Sequence, residues 1–212
     1  MFAAILFDND GVLVDTERLY FAANRDVLAG VGIALTEEEY VEFFLRQGVG
    51  AWHLAAARGL APDVIEALRK ARDQRYFELV GQADITIPRV ATLLPALAAR
   101  YRMAIVTSSE PEPFARTHAR TGLLGHFEFV LTRADYAESK PEPEPYLRAV
   151  ERMRLPPARC LVIEDSERGL RSAKAAGLTC WVIPSTFTVG CLFAGADAVL
   201  GSFEAAAARL LA

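Results

Sequence analysis

Ala3-Ala4-Ile5-Leu6-Phe7-Asp8-Asn9-Asp10-Gly11-Val12-Leu13 is the stretch from which the 212-residue chain is best read. A short, unbroken apolar run is how a strand buried on both faces of a parallel sheet appears in sequence. The acids that follow it then stand at the carboxyl end of that strand, where open parallel sheets bind their ligands. Three more runs of the same kind occur at Met103–Val106, Cys160–Ile163 and Thr179–Ile183. Between and around them, Arg89–Arg100, Pro113–Thr121, Pro145–Met153 and Ser166–Ala176 carry apolar residues at helical spacing, with Gly122 and Gly177 placed as C-terminal caps. Strand alternating with helix predicts an α/β fold, a Rossmann-like doubly wound parallel sheet.

The segment after Asp15 breaks the alternation. Leu19–Ala29, Glu37–Arg46, Trp52–Arg58 and Pro62–Val80 read as successive helices with no strand-like run among them. Such a length is far beyond an ordinary strand-to-helix loop. It predicts an α-helical domain at 16–87, inserted into an α/β core made of 1–15 and 88–212. The alanine-rich tail at Ala205–Ala208 remains compatible with a helix.

Composition narrows the classes of function. Apolar residues make up 52% and charged residues 24%, as in a folded globular protein, and the net charge of −4 leaves no basic footprint for nucleic acid or an anionic membrane. Met1–Phe7 lacks the basic start of a signal peptide, and no apolar stretch approaches the length of a membrane span, so a cytoplasmic location is expected. Cys160, Cys180 and Cys191 form no CxxC pair, which predicts buried thiols rather than disulfides or a zinc site. His53, His118 and His126 are scattered, and solvated or packed histidines are expected there.

The chemistry-bearing residues all follow apolar runs. Asp8 and Asp10 follow the first, Thr107-Ser108-Ser109 the second, and Glu164-Asp165-Ser166 the third, with Ser139-Lys140-Pro141 lying between the last two. Four carboxylates cannot share one site in ionised form without a compensating charge, and oxygen ligands favour Mg²⁺ over a softer metal. A cation would also let a phosphate dianion approach a carboxylate nucleophile. Asp8 is the expected nucleophile. Asp10, two residues on and on the same side, is placed to protonate a leaving oxygen and then activate water. Gly11 permits a sharp turn. Lys140 is one of only three lysines beside 20 arginines. It reads either as a compact ammonium between a carboxylate and a phosphoryl oxygen or as a surface lysine before the prolines 141, 143 and 145.

These segments resemble, in order and spacing, the four motifs of the haloacid dehalogenase-like superfamily: Asp8-x-Asp10-Gly11-Val12, Thr107 after a hydrophobic strand, Lys140-Pro141, and Glu164-Asp165. The resemblance spans nearly the whole chain. It implies a phosphatase acting on a small phosphorylated metabolite, with Asp8 phosphorylated, Asp10 as general acid and base, and Lys140 with Thr107 and the adjacent Ser108 holding the phosphoryl group. It also implies a Mg²⁺ site made by Asp8, the main-chain carbonyl of Asp10, Glu164 and Asp165. Asp15, Thr16 and Glu17 continue the family's opening motif, and the helical insertion resembles its substrate-selecting cap. Arg46, Gln47, Trp52 and His53, near the Gly48–Gly50 turn, are the cap residues expected to meet substrate.

Two departures stand out. Asn9 occupies a place often held by an apolar or aromatic residue, with hydrogen bonding nearby expected to change. Tyr20 and Ala51 stand where the related β-phosphoglucomutases have a histidine and an arginine. A phosphohexomutase is therefore the alternative to a phosphatase, and a non-catalytic binding module a more distant one. A dehalogenase needs neither Asp10 nor the late acids, and a phosphonate-cleaving relative needs a cap lysine, of which Lys70 is the sole example.

Overall fold

A computed structural model describes residues 1–212, which divide into two compact units: Met1–Asp15 with Ile85–Ala212, and Thr16–Asp84. In the first unit, β1 (Ala4–Phe7), β2 (Arg102–Val106), β3 (Phe129–Leu131), β4 (Cys160–Glu164), β5 (Thr179–Val182) and β6 (Ala198–Val199) form one sheet in the order β3-β2-β1-β4-β5-β6. Every pairing is parallel. The order reverses at β1, so β1 lies centrally between β2 and β4. Its carboxyl end opens on the crevice where doubly wound sheets take ligands. Phe7 pairs with Ile105 on one side and Ile163 on the other, so the residues just beyond them emerge together.

β1 and β4 are buried throughout, the physical reason for their unbroken apolar runs. The strands β3 and β6 were not foreseen. With three and two residues they carry no periodic signal, and they form by pairing onto existing neighbours. Main-chain bonds from Glu128 to Met103 and from Thr107 to Leu131 hold β3.

The second unit is helical, with α1 (Glu17–Ala29), α2 (Glu37–Tyr40), α3 (Trp52–Ala57) and α4 (Pro62–Gln82). Thr36 caps α2 in a reciprocal box with Glu39, which explains that helix start. The helix expected over Glu37–Arg46 divides: after Tyr40 it widens to π geometry through Val41–Arg46, with Tyr40 and Phe44 stacked at 4.6 Å. No helix is long and apolar enough to cross a membrane. The boundary expected at 87 moves back to Asp84. Asp15 donates its N–H to Ile85, Ile87 donates to Leu13, and Val14 bridges Thr86, so the returning chain at Ile85–Ile87 belongs with the turn after β1.

In the first unit, α5 (Val90–Ala98), α6 (Pro111–His118), α7 (Glu144–Met153), α8 (Glu167–Ala175) and α9 (Phe203–Leu211) accompany the sheet. Tyr146, Ala149 and Met153 of α7 pack with Leu170 and Ala173 of α8 against Ala4, Leu6, Val162 and Cys180 on one face. On the other, Phe7 meets Phe127 edge-on and stacks on Phe203 of α9. Gly177 follows the end of α8 with φ +75°, as a cap requires. The helix before Gly122 stops earlier than its spacing predicts, at His118.

Candidate active site

The turn after β1 wraps on Asn9, whose carbonyl accepts from the N–H groups of Leu13 and Val14 at 2.8 and 3.2 Å, while Gly11 donates to Val14 at 2.8 Å. Gly11 has φ +80°, and a Cβ there would lie 2.1 Å from Oδ2 of Asp165, so both backbone conformation and close approach require glycine. This turn sets Asp8 beside Asp165, the residue just beyond β4. Asp8, Glu164 and Asp165 offer carboxylate oxygens all within 4.8 Å of one another.

Lys140 joins two of these acids. Its ammonium donates to Oδ1 of Asp8 at 2.6 Å, Oε1 of Glu164 at 2.6 Å and the carbonyl of Val106 at 2.9 Å. Three bonds use the three donors an ammonium has, and a planar guanidinium cannot reproduce that set. The Tyr146 ring lies 4.9 Å from Nζ. The surface-lysine reading left open by the sequence is thus corrected: Lys140 is buried, and Arg168 donates to its carbonyl to hold the loop.

Glu164 is fully buried at the end of β4. Besides Lys140, Oε1 accepts the Tyr146 hydroxyl at 2.7 Å, and Oε2 accepts Ser166 Oγ at 3.1 Å and the N–H of Asp165 at 3.2 Å. Gly169 in α8 makes room for this carboxylate, since a Cβ there would lie 1.9 Å from it. Neither Tyr146 nor Gly169 was foreseen. A glycine inside a helical pattern is a legible signal of close approach, whereas Tyr146 sits at an ordinary core position of α7.

Burial pushes the Asp8 carboxyl up to about 8, with the Glu164 and Asp10 carboxylates adding to the shift and Lys140 opposing it. Burial opposes the charge of Lys140, but two facing carboxylates outweigh it and hold its pKa above the ordinary value. The asymmetry follows from the neighbours: the ammonium faces two anions, while Asp8 faces one cation and further acids. Three clustered carboxylates and one ammonium leave a negative surplus, and the oxygen-only donor set fits a hard divalent cation. Because burial raises the pKa of Asp8, a cation bound there would compete with a proton. Titration calorimetry of the metal-free protein with Mg²⁺ at pH 7, in two buffers of different protonation enthalpy, is expected to show about one proton released per ion. Well above pH 8 the release vanishes; identical values in both ranges would mean that Asp8 is ionised before the metal binds.

Thr107 is buried, its Oγ1 accepting from the N–H of Ser109 at 3.1 Å and its carbonyl from the Tyr136 hydroxyl at 2.7 Å. Ser108 is exposed beside Ser139, Oγ to Oγ 3.3 Å. Ser109 donates to Oδ2 of Asp10 at 3.2 Å, tying the end of β2 to the turn after β1. In the helical unit, Arg46 is exposed and pairs with Glu42 at 3.4 Å. The Trp52 ring is buried within that unit, with the guanidinium groups of Arg69 and Arg72 at 5.1 and 5.5 Å. Tyr20 likewise packs under Arg72, at 4.7 Å. His53 is exposed and meets the ring of Phe43.

Residues 2–177 match the family described as haloacid dehalogenase-like hydrolase. Protein CbbY of Rhodobacter capsulatus is 35% identical, with 98% of this chain and 96% of that protein covered. The phosphorylated carbohydrates phosphatase of Thermotoga maritima is 30% identical over 82% of each chain. Among solved structures, a mutant of CbbY from Rhodobacter sphaeroides in complex with xylulose 1,5-bisphosphate superposes with a TM-score of 0.76 at 33% identity, covering 96% of this chain and 95% of that one.

Proposed function

The chain belongs to the haloacid dehalogenase-like hydrolases, and on that premise we propose that this phosphatase hydrolyses a small phosphorylated sugar through an aspartyl-phosphate on Asp8, with Mg²⁺ as cofactor. The observation that carries the reading is the buried Asp8–Lys140–Glu164 group at the carboxyl end of the central strand, with Asp10 two residues on. An oxygen of Asp8 attacks phosphorus, and the bond to the ester oxygen breaks. Asp10 delivers its proton to that oxygen, so an alcohol leaves. The Asp10 carboxylate then takes a proton from water, whose oxygen attacks the phosphoryl group, releasing inorganic phosphate and restoring Asp8. Lys140 fixes the rotation of the Asp8 carboxylate and sets its positive charge beside the phosphoryl group, whose oxygens Thr107 and Ser108 hold. Asp8, the carbonyl of Asp10 and Asp165 would hold Mg²⁺ with Glu164 beside them, and the ion supplies positive charge against the phosphate dianion.

The sugar class rests on the relatives, one named a carbohydrate-phosphate phosphatase and one bound to a sugar bisphosphate. The helical unit is its proposed selector. A mutase needs a polar anchor for the sugar's second phosphate, and at the places where mutases carry histidine and arginine this chain has Tyr20, packed under Arg72, and the buried Ala51. Phosphorus NMR on a panel of hexose and pentulose mono- and bisphosphates is expected to show net release of inorganic phosphate with no bisphosphate primer. Positional isomerisation that outpaces release, and that a hexose bisphosphate stimulates, would assign the site to a mutase instead.

A further inference from the structure

Asn9, the residue that departs from the family pattern, is buried, and so is His118 at the end of α6. The two side chains meet, Nε2 of His118 lying 2.8 Å from Oδ1 of Asn9. On the far side of the amide, Nδ2 of Asn9 lies 3.2 Å from Oδ2 of Asp10, and on the far side of the imidazole, Nδ1 lies 2.9 Å from Oγ1 of Thr121. With Asp10 ionised and the imidazole neutral, one assignment of protons satisfies this chain. A carboxylate oxygen accepts, so the Asn9 amide presents its NH₂ to Asp10 and its carbonyl to His118. Nε2 must then carry the hydrogen and Nδ1 accept from the Thr121 hydroxyl.

We propose that His118 is a positioning residue for Asp10: it locks the Asn9 amide so that its NH₂, together with the Ser109 hydroxyl, holds Oδ2 of the general acid. Without the imidazole donor the buried Asn9 carbonyl loses its partner, and the amide is no longer held at the distance that keeps its NH₂ on Oδ2 of Asp10. Two donors directed at Oδ2 hold the Asp10 carboxyl in one rotation, as delivery of its proton to a leaving oxygen requires. The imidazole suits this task because burial pushes its pKa down to about 4, against the pull of the Asp10 charge, and it stays neutral with one donor and one acceptor. His118 touches no reacting atom, and its role rests on the assignment of Asp10 as general acid.

The test exploits leaving groups. Departure of an alkoxide from fructose 1-phosphate requires the proton from Asp10, whereas 4-nitrophenolate leaves from 4-nitrophenyl phosphate with little help. His118→Leu is expected to lower kcat/KM for fructose 1-phosphate by about tenfold and for 4-nitrophenyl phosphate by a much smaller factor. His118→Gln, whose amide nitrogen can reach the place of Nε2, is expected to recover most of the loss. Should His118→Leu fail to fold, Asn9→Ala interrupts the same chain and is expected to give the same selective effect. Equal losses on both substrates, or none on either, would overturn the positioning role while leaving the phosphatase reading in place. A wild-type protein inactive on every phosphate ester would instead defeat that underlying reading.

Discussion

Asp8→Asn is expected to lower phosphatase turnover by at least about 10⁴-fold while leaving the fold intact. The amide is a poor nucleophile and a poor ligand for a hard cation, so both steps that begin at this carboxylate fail together. Loss of activity without loss of fold follows from the surroundings of Asp8. Burial already disfavours the charged form of this carboxyl, so a neutral amide of the same shape is expected to replace it without loss of the fold. The melting temperature of the metal-free variant is accordingly expected to equal or exceed that of the metal-free parent, and Mg²⁺ is expected to stabilise the variant far less. Turnover within tenfold of the parent, or labelled phosphate trapped on another residue in the parent, would place the nucleophile elsewhere.

Lys140→Ala is expected to reduce both turnover and stability. Removing the ammonium takes away a charge that steadies Asp8 and the phosphoryl group, a loss of about 10²–10³ in turnover. It also leaves the fully buried Glu164 facing Asp8 with no cation between them. Breaking a buried pair by deleting one partner costs about 3–5 kcal/mol, which for a chain of this size lowers the melting temperature by roughly 6–20 °C. Lys140→Arg is expected to rescue neither property, because the guanidinium cannot place three donors on Asp8, Glu164 and the Val106 carbonyl within the space closed by Tyr146. Thermal melts followed by circular dichroism, beside steady-state rates on the same preparations, separate the two effects. Turnover equal to that of the parent would show that the Asp8–Lys140 contact has no catalytic consequence.

Where sequence patterns reflect local physics, they were legible. β1, β2, β4 and β5 are largely apolar because both faces of a parallel strand are covered, and Asp8, Thr107 and Glu164 stand at or just past their carboxyl ends, where doubly wound sheets take ligands. The helical insertion was legible from the failure of the alternation, and the place of Gly11 from the need for a tight turn. Partner choice was not legible. Lys140 lies 132 residues from Asp8, and nothing in Ser139-Lys140-Pro141 distinguishes a solvated ammonium from one held between two carboxylates.

The same limit applies to Trp52, read near a glycine turn as a candidate substrate contact, whose ring packs against arginines that lie 17 and 20 residues further along the chain. His118 illustrates it most directly: an isolated histidine with no motif becomes the partner of Asn9 because α6 ends beside the turn after β1. The sequence by itself determined the class of fold, the inserted helices and the roster of acids, since each depends on apolar spacing or residue type along one short segment. Only the tertiary structure decided which of those acids share the Lys140 ammonium, which oxygen each donor reaches and which aromatic rings are buried. Those outcomes depend on the packing of segments far apart in the chain, where angstrom-scale approach, not composition, determines which charges and hydrogen bonds are made.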